Sequence, residues 1–486
     1  MELFTDVAFL ARLQFTLTVA FHFVFVPLSI GIGLITAIAE TRAYRSGASE
    51  DADAARFWVK LFTTTFVIGV ASGITMEFSF GTNWADYSRF VGDIFGAPLA
   101  AEALFAFFLE SVFLGVLLFG RGKVSPRFYC ISGWLVWFGS CLSALWILIA
   151  NSWMQTPAGA ELAADGSKAV LTDFFAAAFN PTTGLRYFHV ITAALVMGGL
   201  VAVAVAAYRH LKGKDGDFAK KTMKTGLIVA LVATCALFVS AHSTAVGVWE
   251  QQPTKLAAME GQYEDEVPPL YFFGWVDEQN ERVVGLGLPG FTSFLATFTF
   301  DTVYPGLNSL AESDQYGDLD TSELPVNAIF QFYHMMVAVS GVLLVLIVIA
   351  IIAIRTGKFQ RWKWLQKLLL IAPIFPLAAI EAGWFTAELG RQPWVVYPSA
   401  NAPDGIALLT NEAVSKSVSA PELMLTILLF CVIYLLLFVA WGRLAGNIIK
   451  GGPEAMAGDD IDVAPLVDKI SGDVARRVAI DAKEGE

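Results

Sequence analysis

The chain has 486 residues, of which 56% are hydrophobic and only 16% charged, with a mean hydropathy of +0.60 and a formal net charge of −12. Soluble domains carry about 25% charged residues, so this composition excludes an ordinary water-soluble enzyme and predicts an all-α polytopic membrane protein. A crossing needs roughly 20 apolar residues to span ~30 Å of hydrocarbon. Nine stretches qualify, at 10–39, 57–80, 96–119, 128–151, 186–208, 224–246, 327–354, 366–388 and 422–442. They divide the chain into six spans within 1–246, a long loop at 247–326, three spans within 327–450 and a tail at 451–486.

The opening "MELFTDVAFLARLQF" has no basic leader and no small-residue cleavage site, so the first span is expected to be retained. Basic residues gather in the loops after spans one, three, five and seven, for example Arg42 and Arg45, Arg121 and Lys123, Arg209 and Lys212, Arg355 and Lys358. The bias of such residues toward the cytoplasm predicts an N-terminus outside and a C-terminal tail inside, which an odd number of spans also requires. The long loop is acidic, with Glu264, Asp265, Glu266, Asp314, Asp318 and Asp320, and lies outside in this arrangement. Its aromatics and "VPPLYFFGW" argue for partial order, while the mixed-charge tail reads as solvated or weakly helical. The four cysteines, Cys130, Cys141, Cys235 and Cys431, fall in or beside spans without a CxxC or CxxCH pattern, and are expected to be buried small hydrophobes.

An ionisable side chain within a span costs on the order of 2.5–3.5 kcal/mol, which makes each one a functional candidate. In chain order these are His22, Glu77, Glu102, Glu110, His189, His242, His334, Glu381 and Glu388. His22 sits in "TLTVAFHFVFVPLSIGIG", apolar for two turns each way, and is either a packing residue or a ligand. Glu102 and Glu110 lie eight residues apart, just over two helical turns, so both carboxylates share roughly one side. They are either a proton relay or two separately hydrogen-bonded groups, the relay being favoured because an apolar helix offers few partners. His189 opens span five, and span seven begins with "FQFYHMMVAVSG"; a histidine facing a methionine across two helices suits a six-coordinate haem. Met336, Met335 and His334 all remain available as the second ligand. His210, in "YRHLKGK", is expected at the interface, complementing a helix end. In "GWFTAELGRQPWVVY", Glu388 and Arg391 sit three residues apart at a span end; Arg391 either caps an ion pair or grips a ligand carboxylate with its planar fork. Five scattered histidines offer no clustered copper site.

Several long motifs carry a family resemblance: "RLQFTLTVAFHFVFVPLSIG", "TMEFSFGTNWADYSRFVGDIFGAPLAAEALFAFFLES", "GSCLSALWILIANSWMQTP", "QPTKLAAMEG" and "EAGWFTAELGRQPWVVY". The chain closely resembles subunit I of the cytochrome bd-type quinol oxidases, in the short-loop form and with features of the cyanide-insensitive branch. The resemblance implies a bundle enclosing three haems. His189 and Met336 would be the axial ligands of a low-spin haem b. His22 and Glu388 would each bind one of the other two, a high-spin haem b and an oxygen-reactive haem of d or b type. Glu102, Glu110 and Ser143 match groups on a proton route, Trp384 and Arg391 match residues around the haems and their propionates, and Lys255 and Glu260 match a quinol-interacting pair. The implied partners are a second integral membrane subunit, a small single-span subunit, quinol, dioxygen and the lipid of a prokaryotic cytoplasmic membrane, with no nucleic acid.

Two departures stand out. His334, in "YHMMV", replaces the arginine of the common "FRxMV", and "SAHSTAVG" with His242 replaces "GDxSG". Two other classes compete: a proton-coupled multispan transporter, which explains the glutamates but not a His/Met pair, and a haem electron carrier without oxygen chemistry.

Overall fold

The computed structural model describes residues 5–456 apart from 215 and 404. Nine helical segments among them are long and apolar enough to cross a membrane. In chain order, α1 (Val7–Ser46) and α2 (Ser49–Thr82) form the first two crossings. The third is α3 (Ala85–Ala101), a π-helical turn (Glu102–Phe107) and α4 (Phe108–Phe119), and the fourth is α5 (Pro126–Gln155). A small hairpin, β1 (Ala160–Leu162) and β2 (Ala169–Leu171), and α6 (Phe174–Ala178) lead to α7 (Thr183–Leu211) and α8 (Asp217–Gln251). The long loop folds into α9 (Pro253–Glu260), the antiparallel pair β3 (Leu270–Asp277) and β4 (Arg282–Leu288), α10 (Phe291–Thr297) and α11 (Leu307–Ala311). The remaining crossings are α12 (Val326–Arg355), the broken span α13 (Lys363–Ile371) with α14 (Ile374–Leu389), and α16 (Ala420–Gly451). Between the last two lie β5 (Trp394–Val396), β6 (Leu408–Leu409) and α15 (Thr410–Ala413).

Local chemistry fixes the ends. Asp6 accepts from the Ala8 and Phe9 N–H groups, and Gly47 closes the far end of α1 with φ of 64°. Ser125 caps α5 ahead of Pro126, and Ser419 with Glu422 forms a capping box on α16. With no hydrophobic drive between helices in lipid, close crossings depend on small residues. A Cβ on Gly31 would stand 2.3 Å from the Ala194 carbonyl, and one on Gly226 would stand 2.6 Å from the Gly199 carbonyl. Those contacts lock α1 to α7 and α7 to α8, with α2 and α5 flanking α1.

The two ends of the bundle differ. At the basic face Arg121 pairs with Glu40, Lys221 with Asp51 at 2.8 Å, and Arg209 with Glu454. The opposite, loop face is roofed by α9, the β3–β4 hairpin and the segment around β5, where the Tyr397 N–H donates to the Met154 carbonyl at 2.8 Å.

Three expectations change, and one falls outside the described residues. Cys130 and Cys141 are buried, but Cys235 and Cys431 are exposed on the bundle surface, because apolar crossings turn some side chains toward lipid. His210 lies in the last turn of α7, at the helix end as expected, but is buried there with its ring edge-on to Phe359 at 5.2 Å. The third crossing starts well before residue 96 and contains a π turn. The tail beyond 456 lies outside the described residues.

Candidate functional site

His22 lies on α1 with Nδ1 3.0 Å from the Ser72 hydroxyl of α2. That hydroxyl already spends its single proton on the Ile68 and Gly69 carbonyls, at 2.9 and 3.0 Å. Toward the imidazole it only accepts, so Nδ1 carries the hydrogen and Nε2 keeps its lone pair. This is the arrangement by which a neighbouring group orients a metal-ligating histidine. Gly73 completes the seat, since a Cβ there would lie 3.2 Å from His22 Cε1.

Of the three candidates on α12, two carry a buried donor atom without a hydrogen-bond partner: His334, whose Nε2 is unpartnered among the described residues, and Met336. Met335 is exposed, and His334 stacks on Phe330 at 3.9 Å while its Nδ1 donates to the Phe330 carbonyl at 2.8 Å. The Met336 thioether instead points at α14, where a Cβ on Gly383 would stand 2.7 Å from the sulfur. His189 sits seven residues into α7, and its Nδ1 is buried without a partner among the described residues. Both helices start at the loop face, so His189 and Met336 occupy the same half of the membrane.

On α14, Trp384 lies one turn before Glu388, and its ring is 6.5 Å from Phe23, the neighbour of His22. Glu388 accepts from Asn151 Nδ2 at 3.3 Å and forms an ion pair with Arg391, whose other arm donates to the Val395 carbonyl at 2.6 Å. The Arg391 Nε is buried without a partner among the described residues. Arg186 and Lys255 lie within electrostatic reach of the same pair. Glu388 is thus paired with Arg391 and has a second basic side chain, Arg186, and the Lys255 amine in its neighbourhood. Such an excess fits a ligand that brings carboxylates of its own, and porphyrin propionates are such groups.

Sequence reasoning did not find the polar web around Lys255. Its Nζ donates to Gln155 and to Gln252 at 3.1 Å; Gln252 donates to Gln155 at 2.8 Å and accepts from Arg186 at 3.0 Å. Burial and the positive charges of Arg186 and Arg391 hold the Lys255 pKa well below its ordinary value. Gly390 makes room, since a Cβ there would lie 2.8 Å from Lys255 Cγ. Lys255 therefore belongs with Glu388 and Arg391. Glu260, five residues along α9, is turned about 140° away. Neither of its carboxyl oxygens has a partner among the described residues. Burial pushes its pKa up to about 8, opposed by the nearby Thr292 hydroxyl, which donates to the Pro269 carbonyl at 3.1 Å.

The remaining pair faces α5. Ser143 donates to Glu102 at 2.8 Å, and Gly139, one turn along, admits Glu110, whose Cγ would be 2.7 Å from a Cβ there. Glu102 opens the π turn, a distortion that proteins place at functional sites. Glu381 is another candidate whose two oxygens lack partners among the described residues, whereas Glu77 and His242 are exposed. No cluster of three or more His, Cys, Asp or Glu able to hold a bare metal ion occurs among the described residues.

Isolated imidazole, thioether and carboxylate groups inside a helical bundle of span-length helices mark a multi-pass membrane protein whose polar interior suits large acidic cofactors. The family described as cytochrome bd terminal oxidase subunit I matches residues 10–453, and the chain belongs to that family. It is 38% identical to the cytochrome bd ubiquinol oxidase subunit 1 of Bacillus subtilis (strain 168), across 94% of this chain and 96% of that one. It is 34% identical to the cytochrome bd-II ubiquinol oxidase subunit 1 of Escherichia coli (strain K12), across 93% and 98%. Among solved structures, the bd oxidase from Geobacillus thermodenitrificans superimposes with a TM-score of 0.82 at 27% identity, covering 92% of this chain and 99% of that one.

Proposed function

We propose that the chain is the haem-bearing subunit of a terminal oxidase that takes electrons from membrane quinol and delivers them to dioxygen. The observation that carries this reading is the family match along residues 10–453, and the ligand geometry supports it. Low-spin haem b would be held by His189 and Met336. His22 and Glu388 would each hold one of two further haems, a high-spin haem b and a third of d or b type. Bound haems would supply the electron transfer and the reduction of dioxygen to water.

The chain's own groups do the rest. Ser72 keeps the His22 Nε2 lone pair free. Arg391 and Arg186 would neutralise propionates, Lys255 with Glu260 would meet quinol, and Trp384 packs between the helices of His22 and Glu388. The unpartnered Glu260 carboxylate accepts a quinol proton at the loop face, which the charge pattern assigns to the outside. Glu110, on the basic-face side of Glu102, receives protons from the cytoplasm and passes them on with Glu102 and Ser143. Releasing protons on one side and consuming them from the other separates charge without a pump. Glu77 sits exposed on α2 beside the exposed Ile74 and Phe78, a poor surface for lipid. A second membrane subunit covering that face would resolve the mismatch, and the membrane is the prokaryotic cytoplasmic one.

A reduced-minus-oxidised spectrum of the purified complex tests the reading. Low-spin bands together with carbon monoxide-sensitive high-spin bands are expected; low-spin bands alone would make it an electron carrier, and no haem bands a transporter. Met336→Ala should remove the low-spin band and leave a carbon monoxide-binding haem. An unchanged spectrum would reject Met336 as a ligand.

A further inference from the structure

An antiparallel pair of strands ordinarily sorts apolar side chains onto its packed face and polar ones onto its wet face. The β3–β4 hairpin does not. Its inner face sets Val276 and Val283 against Gly261, where a Cβ would lie within 2.9 and 2.6 Å of them. Its other face carries the cross-strand pairs Phe273–Leu286 and Trp275–Val284, with side chains between 57% and 65% exposed. A two-stranded ribbon is marginal in water, and a bare apolar face makes it worse.

The way the hairpin leans on α12 says what covers that face. The Val276 N–H donates to Asn327 Oδ1 at 3.0 Å, and Gln331 Nε2 donates to the Gly274 carbonyl at 2.7 Å. Asn327 and Gln331 are one turn apart in the first turns of α12, so the path from Val276 to Gly274 runs down the helix into the span. The turn lies at the opposite end. It contains Asp277, Glu278, Glu281 and Arg282, and Glu278 accepts from the Asn327 N–H at 2.7 Å, at the mouth of the span. Charge therefore sits where α12 emerges, and the aromatic body sits alongside the helix. One turn below Gln331, α12 exposes Met335, and Val337 two residues further on is exposed as well. Beyond the hairpin, α10 packs on α8 and is followed by Phe298, 75% exposed, and by exposed Phe300.

We propose that segment 270–300 is immersed in the lipid leaflet at the loop face, with Phe273, Trp275 and Phe298 against acyl chains and the 277–282 turn at headgroup level. The occupant is lipid because the apolar face continues the lipid-facing surface of α12 and its polarity changes with depth as an interfacial element's does. Part of a loop that lies outside the spans is thus a monotopic membrane insert. Its inner face packs on Gly261, the residue directly after Glu260. The inference rests on the membrane topology and not on the oxidase chemistry.

The test is photolabelling of the complete complex in phosphatidylethanolamine–phosphatidylglycerol vesicles containing a phospholipid with an acyl-chain diazirine, read by peptide mass spectrometry. Residues 270–276 and 284–300 should label as strongly as the Met335–Val337 stretch. The 277–282 turn should escape the lipid label and react instead with hydroxyl radicals from water. Radical modification of Phe273 and Trp275 without lipid label would overturn the proposal in favour of a wet loop. Protection of both residues from both reagents would overturn it in favour of a covering protein subunit. Trp275→Phe, which keeps the apolar face, should leave the lipid label on 270–276 in place; its loss would show that the signal came from the indole alone.

Discussion

Lys255 and Glu260 sit on the same eight-residue helix, and both are 2% exposed. Lys255 is tied to Gln155 and Gln252 and lies beside Arg186, Arg391 and Glu388, whereas Glu260 has no hydrogen-bond partner among the described residues. Burial acts on both, lowering one pKa and raising the other, yet only the lysine is compensated by bonds. A buried polar group that is satisfied holds structure together. One that is left unsatisfied costs free energy continuously, and a bound ligand that pairs with it removes that cost. The contrast separates two residues that the motif "QPTKLAAME" places side by side.

Substitutions can break the comparison. The largest effect is expected from Glu260→Gln, which keeps the shape and removes the proton acceptor. Quinol-driven oxygen consumption should fall by about 10²-fold or more. Thermal stability and oxygen consumption with an artificial reductant that bypasses quinol should persist; equal loss of all three would point to misfolding.

A smaller effect is expected from pH. With a pKa near 8, Glu260 is mostly protonated at neutrality and becomes a competent acceptor as pH rises. Below that value the quinol-dependent rate should climb by about tenfold per pH unit, then level off above it. A flat profile in the native protein would remove Glu260 from the rate-determining proton step.

The smallest effect is expected from Lys255→Met. Gln155 would still accept from Gln252, and Gln252 would still accept from Arg186, so neither oxygen is orphaned. Relief of repulsion with Arg186 and Arg391 offsets part of the loss, leaving a cost of about 1 kcal/mol in a denaturation assay. A much larger destabilisation would mean that the lysine charge itself holds the cluster together.

Much of this was legible in the chain. Apolar runs of span length mark the crossings, since lipid tolerates few charges and demands closed backbone hydrogen bonding. The same intolerance makes His22, Glu102, Glu110, His189 and Glu388 conspicuous. The choice among His334, Met335 and Met336 was not legible, because all three lie within one turn and only the packing of α12 on α14 turns Met336 toward Gly383. Ser72, Asn151, Gln155, Gln252 and Arg186 were missed for a related reason: uncharged or edge-of-span polar residues are common, and their meaning comes from partners far away in sequence. The exposed Cys235 and Cys431 were misjudged because apolar context does not say which side of a helix meets lipid, and the burial of His210 depends on Phe359, far away in sequence.

By itself the sequence determined a multi-pass helical membrane protein with a few costly ionisable groups, because hydropathy and length are additive along a chain. Only the tertiary structure decided which groups face one another: the tautomer imposed on His22, the grouping of Lys255 with Arg391 and not with Glu260, and the apolar outer face of the hairpin. Those rest on segments far apart in the chain, 50 residues for His22 and Ser72. They depend on helix rotation and register, which no local pattern encodes.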